Sequence, residues 1–233
     1  MNKQNVVTAD EWLTARQELL RREKEFTRSR DELSKARREM PWHKVTSDYV
    51  FDGPDGSETL TDLFGGKSQL IIYHFMFGPE WQEGCPSCSF WADNFDHIDV
   101  HLDQRDIAFL AVSRASLSIL DAYKQRMGWR FKWVSSFGNS FNFDYQASFT
   151  PDAMKNGSVY YNYHETQFPS EEAPGISVFF RDDRGDIYHT YSCYARGLDM
   201  LNGAYHYMDL TPKGRDEDEL AYPMAWVCRH DQY

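Results

Sequence analysis

The sequence predicts an α/β fold in which helices flank a mixed central sheet. Two apolar segments rich in β-forming residues, 69–77 and 106–113, have the composition of buried strands. A segment of helical composition follows each of them, at residues 89–103 and 116–127. Because strand and helix alternate, parallel strands joined by right-handed crossovers are the economical arrangement. A hairpin at residues 176–191, turning at residues 182–185, adds antiparallel strands to that sheet.

The N-terminal segment predicts one long helix over residues 9–40. Thr8 or Asp10 can cap its start, and Pro41 stops it. Apolar residues recur every seven positions, but the position three further on is polar or small, so only half of a coiled-coil seam is apolar. The recurring residues are Trp12, Leu19, Phe26, Leu33 and Met40. Two uses stay open for this arm: it lies along its own body, or it pairs with a second copy in a homodimer.

The charge pattern bears on this choice without settling it. The arm is slightly basic and the remainder of the chain is strongly acidic, which favours docking of the arm onto a body. We therefore divide the chain into an N-terminal helical arm, residues 1–41, a domain over residues 42–210, and a C-terminal tail, residues 211–233, that packs on the domain.

Several shorter elements complete the expected domain. Residues 48–56 predict a strand and a turn, and residues 59–63 predict a short helical turn. Residues 131–174 are rich in aromatic side chains without a sustained period. We expect one strand near residues 132–135 there, followed by a long loop with short helical turns. Residues 198–207 predict a helix.

Length, charge and cysteine content narrow the class of protein. A chain of 233 residues can bury a core without disulfides, and four cysteines are too few for a disulfide-rich secreted domain. A formal net charge of −11 disfavours electrostatic binding to nucleic acid or to anionic lipid. The first ten residues lack the apolar run of a signal peptide, and the apolar stretch 70–77 is too short to span a bilayer. We expect a soluble cytoplasmic protein with reduced cysteines.

The motif that indicates chemistry is Cys85-Pro86-Ser87-Cys88, between a buried strand and the helix after it. Unpaired N–H groups at a helix start favour negative charge, so Cys85 is the candidate attacking thiolate. Cys88, about one turn later, can attack a mixed disulfide on Cys85 and resolve it. Pro86 suits the first helical turn because it has no N–H to lose. Glu80 and Glu83, just upstream, oppose the thiolate, since a like charge raises a thiol pKa.

Other residues are expected near this motif. Chemistry in an open α/β sheet collects beyond the carboxyl ends of the parallel strands, which places Ser113 and Arg114 beside the motif. Arg114 either supplies positive potential to the thiolate or forms an ion pair with an acid. Trp81 is a candidate for lining a substrate groove, together with Pro86 and Ser87 of the motif itself. His74, inside a buried strand, is interpreted as a core histidine rather than a proton shuttle.

Zinc is the competing use of the cysteine pair. A structural zinc site usually takes four ligands, commonly from a second paired motif, and Cys193 and Cys228 are isolated in the sequence. No metal or cofactor is therefore predicted. We expect Cys193 and Cys228 to be small buried apolar residues or inert thiols.

Seven segments of the sequence together form a specific pattern. They are Asp52-Gly-Pro-Asp-Gly, Thr59-Leu-Thr-Asp-Leu, residues 70–93 around the cysteine motif, Ala111-Val-Ser-Arg-Ala, Met127-Gly-Trp, Thr190-Tyr-Ser-Cys-Tyr-Ala-Arg-Gly-Leu-Asp and the ending Arg229-His-Asp-Gln-Tyr. This set closely resembles a bacterial family of thioredoxin-like proteins, usually described as predicted dithiol-disulfide oxidoreductases and related to the peroxiredoxins. The resemblance implies a thioredoxin-like fold, with Cys85 as attacking and Cys88 as resolving thiol.

Two departures from better-known relatives shape the expected activity. Peroxiredoxins resemble one another in a loop with threonine three residues before the cysteine. Here Gln82 stands at that place, and Pro79 is six rather than seven residues before Cys85. Dithiol exchange is therefore favoured over a thiol peroxidase, which remains the alternative, as does a non-catalytic binding or assembly protein of the same fold. The partner would be a protein or small-molecule disulfide or thiol. Thioredoxins also carry a proline directly before the strand that faces the motif, and Pro174 is the candidate for it.

Overall fold

The computed structural model describes residues 5–233, so the first four residues of the predicted arm lie outside the described residues. The chain divides into two units, Met1–Pro41 and Trp42–Tyr233.

The first unit consists of helix α1, Ala9–Arg38. Thr8 caps it in a capping box, because the Glu11 amide donates to the Thr8 hydroxyl and the Thr8 amide donates to the Glu11 carboxylate. No residue of α1 is buried, and Phe26 in the apolar stripe is 70% exposed. The predicted helix is thus confirmed, with Thr8 as its cap.

The second unit contains ten strands and six further helices. The strands are β1 (His43–Lys44), β2 (Val50–Gly53), β3 (Gly56–Thr59), β4 (Gln69–His74), β5 (Ile107–Ser113), β6 (Lys132–Ser135), β7 (Val159–Tyr161), β8 (His164–Thr166), β9 (Gly175–Arg181) and β10 (Ile187–Tyr194). The helices are α2 (Pro86–Phe95), α3 (Asp99–Leu102), α4 (Leu117–Met127), α5 (Phe141–Asp144), α6 (Pro151–Lys155) and α7 (Gly203–Met208). Between residues 5 and 233, none of the helices combines the length and apolar character needed to traverse a bilayer.

Eight of the strands form one mixed sheet in the order β1-β10-β9-β4-β5-β6-β2-β3. Strands β4, β5 and β6 are parallel, with Gln69 opposite Ile107, while β9 pairs antiparallel with β4 and β10 pairs antiparallel with β9. A βαβ unit beside a hairpin, in the order β5-β4-β9-β10, is the arrangement of the thioredoxin-like fold. The predicted fold class is confirmed.

Alternation along β4 assigns its side chains to two separate cores. Leu70 and Ile72 are fully buried in a cluster with Phe51, Phe141 and other side chains on one face of the sheet. Tyr73 belongs to the other cluster, which includes Cys88 of α2 and Leu120 of α4. The period-two pattern of this strand therefore turns Tyr73 toward the helix that carries the cysteine motif.

Three local predictions differ from the structure. Residues 56–59 form strand β3, and the helical turn begins only at Asp62, whose carboxylate accepts from the Thr59 amide at 2.8 Å. The loop expected after β6 contains the separate hairpin β7–β8, which its aromatic composition did not distinguish. The helix expected over residues 198–207 is divided at Asn202, whose extended backbone ends a 3-10 turn and whose side chain caps α7 by accepting from the Tyr205 amide.

Candidate functional site

The cysteine motif opens α2, as predicted. Cys85 is the N-cap residue and Pro86 is the first helical residue. The Cys85 amide donates to the Met76 carbonyl at 3.1 Å, and the Met76 amide donates to the Cys88 sulfur at 3.4 Å. These two hydrogen bonds hold both cysteines against the chain that leaves β4. Cys85 is half-buried and Cys88 is buried, and neither is in a disulfide.

The two thiols have opposite acidities. The Cys88 thiol donates a hydrogen bond to the Cys85 sulfur and, with the backbone N–H groups of Cys88 and Ser87, lowers the pKa of Cys85 from 9.0 to about 6 against an opposing effect of burial. Burial, followed by the hydrogen bond to Cys85, raises the pKa of the Cys88 thiol well above its ordinary value. At neutral pH the pair therefore holds a thiolate at Cys85 and a thiol at Cys88, which is the asymmetry that an attacking and a resolving cysteine need.

Tyr73 is a site residue that the sequence did not indicate. Its hydroxyl donates a hydrogen bond to the Cys88 sulfur, which lowers the Cys88 pKa against the larger effect of burial. Burial keeps the phenol protonated, because it raises the pKa of Tyr73 well above 10.0. The signal that could have found Tyr73 is its place in β4, on the face that packs on α2.

The C-terminal tail holds the loop before Cys85. The Arg229 guanidinium donates to the Gly84 carbonyl at 2.8 Å and to the Tyr123 hydroxyl at 2.9 Å. Tyr123 in turn shares a 2.9 Å hydrogen bond with Ser89, whose hydroxyl donates to the Cys85 carbonyl at 2.9 Å. A continuous set of hydrogen bonds thus connects the tail to the backbone on both sides of the attacking cysteine.

The tail also changes the expectation for Glu83. Its carboxylate forms ion pairs with Arg126 and, at 3.0 Å, with Arg229. The hydrogen bond from Arg126, together with the charge of Arg229, lowers the pKa of Glu83. The charge of Glu83, one of the two acids that the sequence places before Cys85, is therefore compensated by two arginines.

An open cavity of about 700 Å³ adjoins both cysteines. Its surface is mostly apolar. Beside Cys85 and Cys88 it is lined by Tyr73, Met76, Ser87, Trp91, Phe168, Pro169, Pro174, Ala195, Arg196, Leu198, Asp199, Tyr205, Arg215, Glu217, Tyr222, Pro223 and Met224. Of the predicted lining residues, Ser87 and Pro174 are in this wall. Pro174 stands immediately before β9, and the peptide bonds of the described residues are all trans.

The other predicted lining residues have structural contacts elsewhere. Buried Ser113 donates to the Phe75 carbonyl at 2.7 Å and accepts from the Trp133 indole at 3.0 Å. Arg114 forms a 2.8 Å ion pair with buried Glu172, so the ion-pair alternative applies to it. Neither Ser113 nor Arg114 lines the cavity.

Trp81 and Pro86 are likewise absent from the cavity wall. Trp81 packs, half-buried, against the cluster that contains Tyr73, and its indole lies close to Gly78, where a Cβ atom would stand 2.9 Å from the indole nitrogen. Pro86 serves the start of α2. The structure therefore places Trp81 and Pro86 outside the cavity wall, and a substrate groove at Trp81 stays a prediction.

The remaining candidates are resolved by burial. His74 is a core histidine: it shares a 2.9 Å hydrogen bond with Ser177, and burial lowers its pKa to about 3, so its ring is neutral. Cys193 is buried, as expected, with its thiol toward the Gly197 carbonyl. Cys228 is exposed rather than buried, because the last residues of the tail run over the surface. In the part of the chain that the structure describes, no group of histidine, cysteine and acidic side chains could hold a metal ion.

Comparisons with known proteins identify one family. Its model, described as "Bacterial protein of unknown function (DUF899)", matches residues 1–233. No curated protein matches the chain.

Solved structures of low identity are also similar to parts of the chain. Peroxiredoxin Q of Xanthomonas campestris is 14% identical with a TM-score of 0.46, over 68% of this chain and 90% of that one. The Xylella fastidiosa protein PrxQ is 13% identical with a TM-score of 0.44, over 71% and 95% of the two chains. A Chlorobium tepidum protein assigned as the thiol:disulfide interchange protein DsbE is 12% identical with a TM-score of 0.38, over 70% and 95%.

Proposed function

The chain belongs to the bacterial family DUF899, and we propose that it is a thiol-disulfide oxidoreductase that uses Cys85 and Cys88. The observation that carries this proposal is the opposed acidity of two adjacent thiols, a half-buried one with a pKa of about 6 and a buried one with a raised pKa. A purely structural pair would not need one accessible thiolate beside an open cavity. The proposal keeps the cytoplasmic setting expected from the sequence, where both thiols are reduced at rest.

The reaction begins at the more acidic sulfur. The Cys85 thiolate attacks one sulfur of a disulfide, forms a mixed disulfide and releases the other half as a thiolate, which takes up a proton. Cys88 then loses its proton and attacks the Cys85 sulfur, which releases the second thiol and leaves a Cys85–Cys88 disulfide. The substrate gains two electrons and the cysteine pair loses two. A dithiol reductant restores the pair by the reverse sequence.

Two groups favour the second step. The developing Cys88 thiolate receives hydrogen bonds from the Tyr73 hydroxyl and from the Met76 amide. Both donors are already in place in the reduced protein, so they stabilise negative charge on a buried sulfur without rearrangement.

Equilibration in redox buffers tests the proposal. The protein is incubated at a series of reduced to oxidised dithiothreitol ratios, quenched in acid, and analysed by alkylation and mass spectrometry. We expect one intramolecular Cys85–Cys88 disulfide that forms within a single window of potential. The double variant Cys193→Ser/Cys228→Ser is expected to keep that window, and Cys85→Ser to lose it.

Two results count against the proposal. The first is that the pair stays reduced across the whole series. The second is that the disulfide that forms involves Cys228 instead of Cys85. Consumption of hydrogen peroxide that disappears in Cys85→Ser, without a defined dithiol window, favours the peroxidase alternative.

A further inference from the structure

The cavity beside the cysteines is built from apolar groups of four separate segments. Met76 follows β4, Trp91 lies in α2, Phe168 follows β8, and Pro223 and Met224 come from the tail. A volume of about 700 Å³ lies within the range of about 300–1,000 Å³ that small-molecule sites occupy. The space is sized for a compact ligand next to the reactive sulfur.

Three of the four charged residues in the cavity wall, Asp199, Arg215 and Glu217, are committed to protein partners. Arg215 pairs with Asp199 at 2.9 Å and stacks 4.0 Å from the centre of the Tyr205 ring. The Glu217 carboxylate accepts from the Tyr205 hydroxyl at 2.7 Å. Arg196 is directed to solvent, with 80% of its side chain exposed, and its nearest acid is Asp199 at 3.7 Å. A ligand with carboxylates or ammonium groups would find no buried, uncommitted countercharge among these residues.

The backbone that lines the cavity at Pro174 and Ala195 is closed to an added strand. The buried Tyr161 hydroxyl donates to the Pro174 carbonyl at 2.7 Å and accepts from the Ala195 amide at 3.0 Å. An extended peptide binds through unpaired backbone groups, and here Tyr161 occupies both the acceptor before β9 and the donor after β10. A protein segment would first have to displace this hairpin side chain.

We propose, on the premise of the oxidoreductase function above, that the substrate is a small-molecule disulfide with uncharged apolar substituents. One substituent occupies the cavity while the Cys85 thiolate attacks the sulfur that it carries or the sulfur next to it. The bond that breaks is the substrate S–S bond. The products are two apolar thiols and the Cys85–Cys88 disulfide, so that in a single turnover the reduced protein supplies both electrons.

Two disulfides of equal size test this inference. Dipropyl disulfide and bis(2-hydroxyethyl) disulfide have the same number of non-hydrogen atoms and differ by a methyl or a hydroxyl at each end. Single-turnover oxidation of the reduced protein is followed by the loss of free thiols, and each rate is divided by the rate of the same disulfide with dithiothreitol. We expect the normalised rate to be higher for dipropyl disulfide by about tenfold or more. Oxidised glutathione is expected to be slower than both.

Substitutions in the cavity wall test whether the preference for dipropyl disulfide arises in the cavity. Tyr222 lines the cavity and is 63% exposed, so Tyr222→Ser leaves the core intact and should reduce the preference at least about threefold. Tyr207, 76% exposed and outside the cavity wall, provides the matched control Tyr207→Ser, which should keep it. Phe168→Ser tests a half-buried wall position in the same way.

The outcomes separate the two proposals. Equal normalised rates for the two neutral disulfides, or a preference that neither cavity variant changes, overturn the substrate assignment while the exchange activity stands. A faster reaction with oxidised glutathione, or with a disulfide-containing peptide, overturns it as well. Failure of every disulfide to oxidise the pair, together with the absence of a redox window in the dithiothreitol series, rejects the oxidoreductase function itself.

Discussion

The hydrogen bond between the two thiols is the largest cause of the low Cys85 pKa, so replacing its donor should raise that pKa measurably. Cys88→Ala removes the donor, and Cys88→Ser replaces it with a hydroxyl that can still donate. A hydrogen bond to a charged acceptor contributes about 1.5–3 kcal/mol, which corresponds to about 1–2 pKa units. We therefore expect the Cys85 pKa to rise from about 6 to about 7–8 in Cys88→Ala and to stay near 6 in Cys88→Ser.

The change is large in terms of reactive thiolate. At pH 7 a thiol with a pKa of about 6 is about 90% ionised, whereas a pKa of about 8 leaves about 10%. The measurement is the pH dependence of iodoacetamide alkylation, supported by the ultraviolet absorbance of the thiolate. All proteins carry Cys228→Ser, because Cys228 is exposed and would react as well. Cys85→Ser in the same background gives the baseline.

Two results would refute the reasoning. If the Cys85 pKa stays near 6 in Cys88→Ala, the backbone N–H groups of Ser87 and residue 88 are sufficient without the thiol. If Cys88→Ser behaves like Cys88→Ala, the loss of the hydrogen bond is not the cause of the shift.

Three further predictions concern residues around the site and the arm. Burial raises the pKa of Glu172 to about 7, so the folded protein holds this proton more tightly than the unfolded chain does. The resulting contribution to the free energy of unfolding is fully present below about pH 4.5 and is lost as the pH rises through 7, a decrease of about 3 kcal/mol. Glu172→Gln should remove this decrease when the free energy of unfolding in urea is compared at pH 5 and pH 8. A variant with the same pH dependence as the unmodified protein would contradict the prediction. Arg229→Lys should lower the unfolding free energy by about 1.5–3 kcal/mol, because a lysine ammonium cannot donate to the Gly84 carbonyl and the Tyr123 hydroxyl with the geometry of the planar guanidinium. The exposed Arg184→Lys is the control and should change it by less than about 0.5 kcal/mol. Finally, Phe26→Glu in the exposed stripe of α1 should convert a dimer of the full chain to monomers in light scattering, and a monomeric unmodified chain would show that the arm does not pair copies.

The elements that the sequence predicts well are those with a local signal. Alternating apolar strands and helices set the parallel part of the sheet, and the cysteine motif after a buried strand sets where α2 begins. Hairpin β7–β8 and strand β3 were missed because they are short, lie at the margin of the fold, and carry little apolar periodicity. For them pairing partners, rather than composition, decide the structure.

By itself the sequence determined the family, the thioredoxin-like fold and the two cysteines, because a motif and a strand-helix period are properties of neighbouring residues. Tertiary structure alone decided what surrounds those cysteines. Tyr73 reaches Cys88 through the face of β4, and Arg229 reaches the Gly84 carbonyl from 145 positions away. Such contacts depend on how distant segments pack, which no local period encodes. For the same reason only the fold could show that Glu83 is compensated and that the site opens into an apolar cavity.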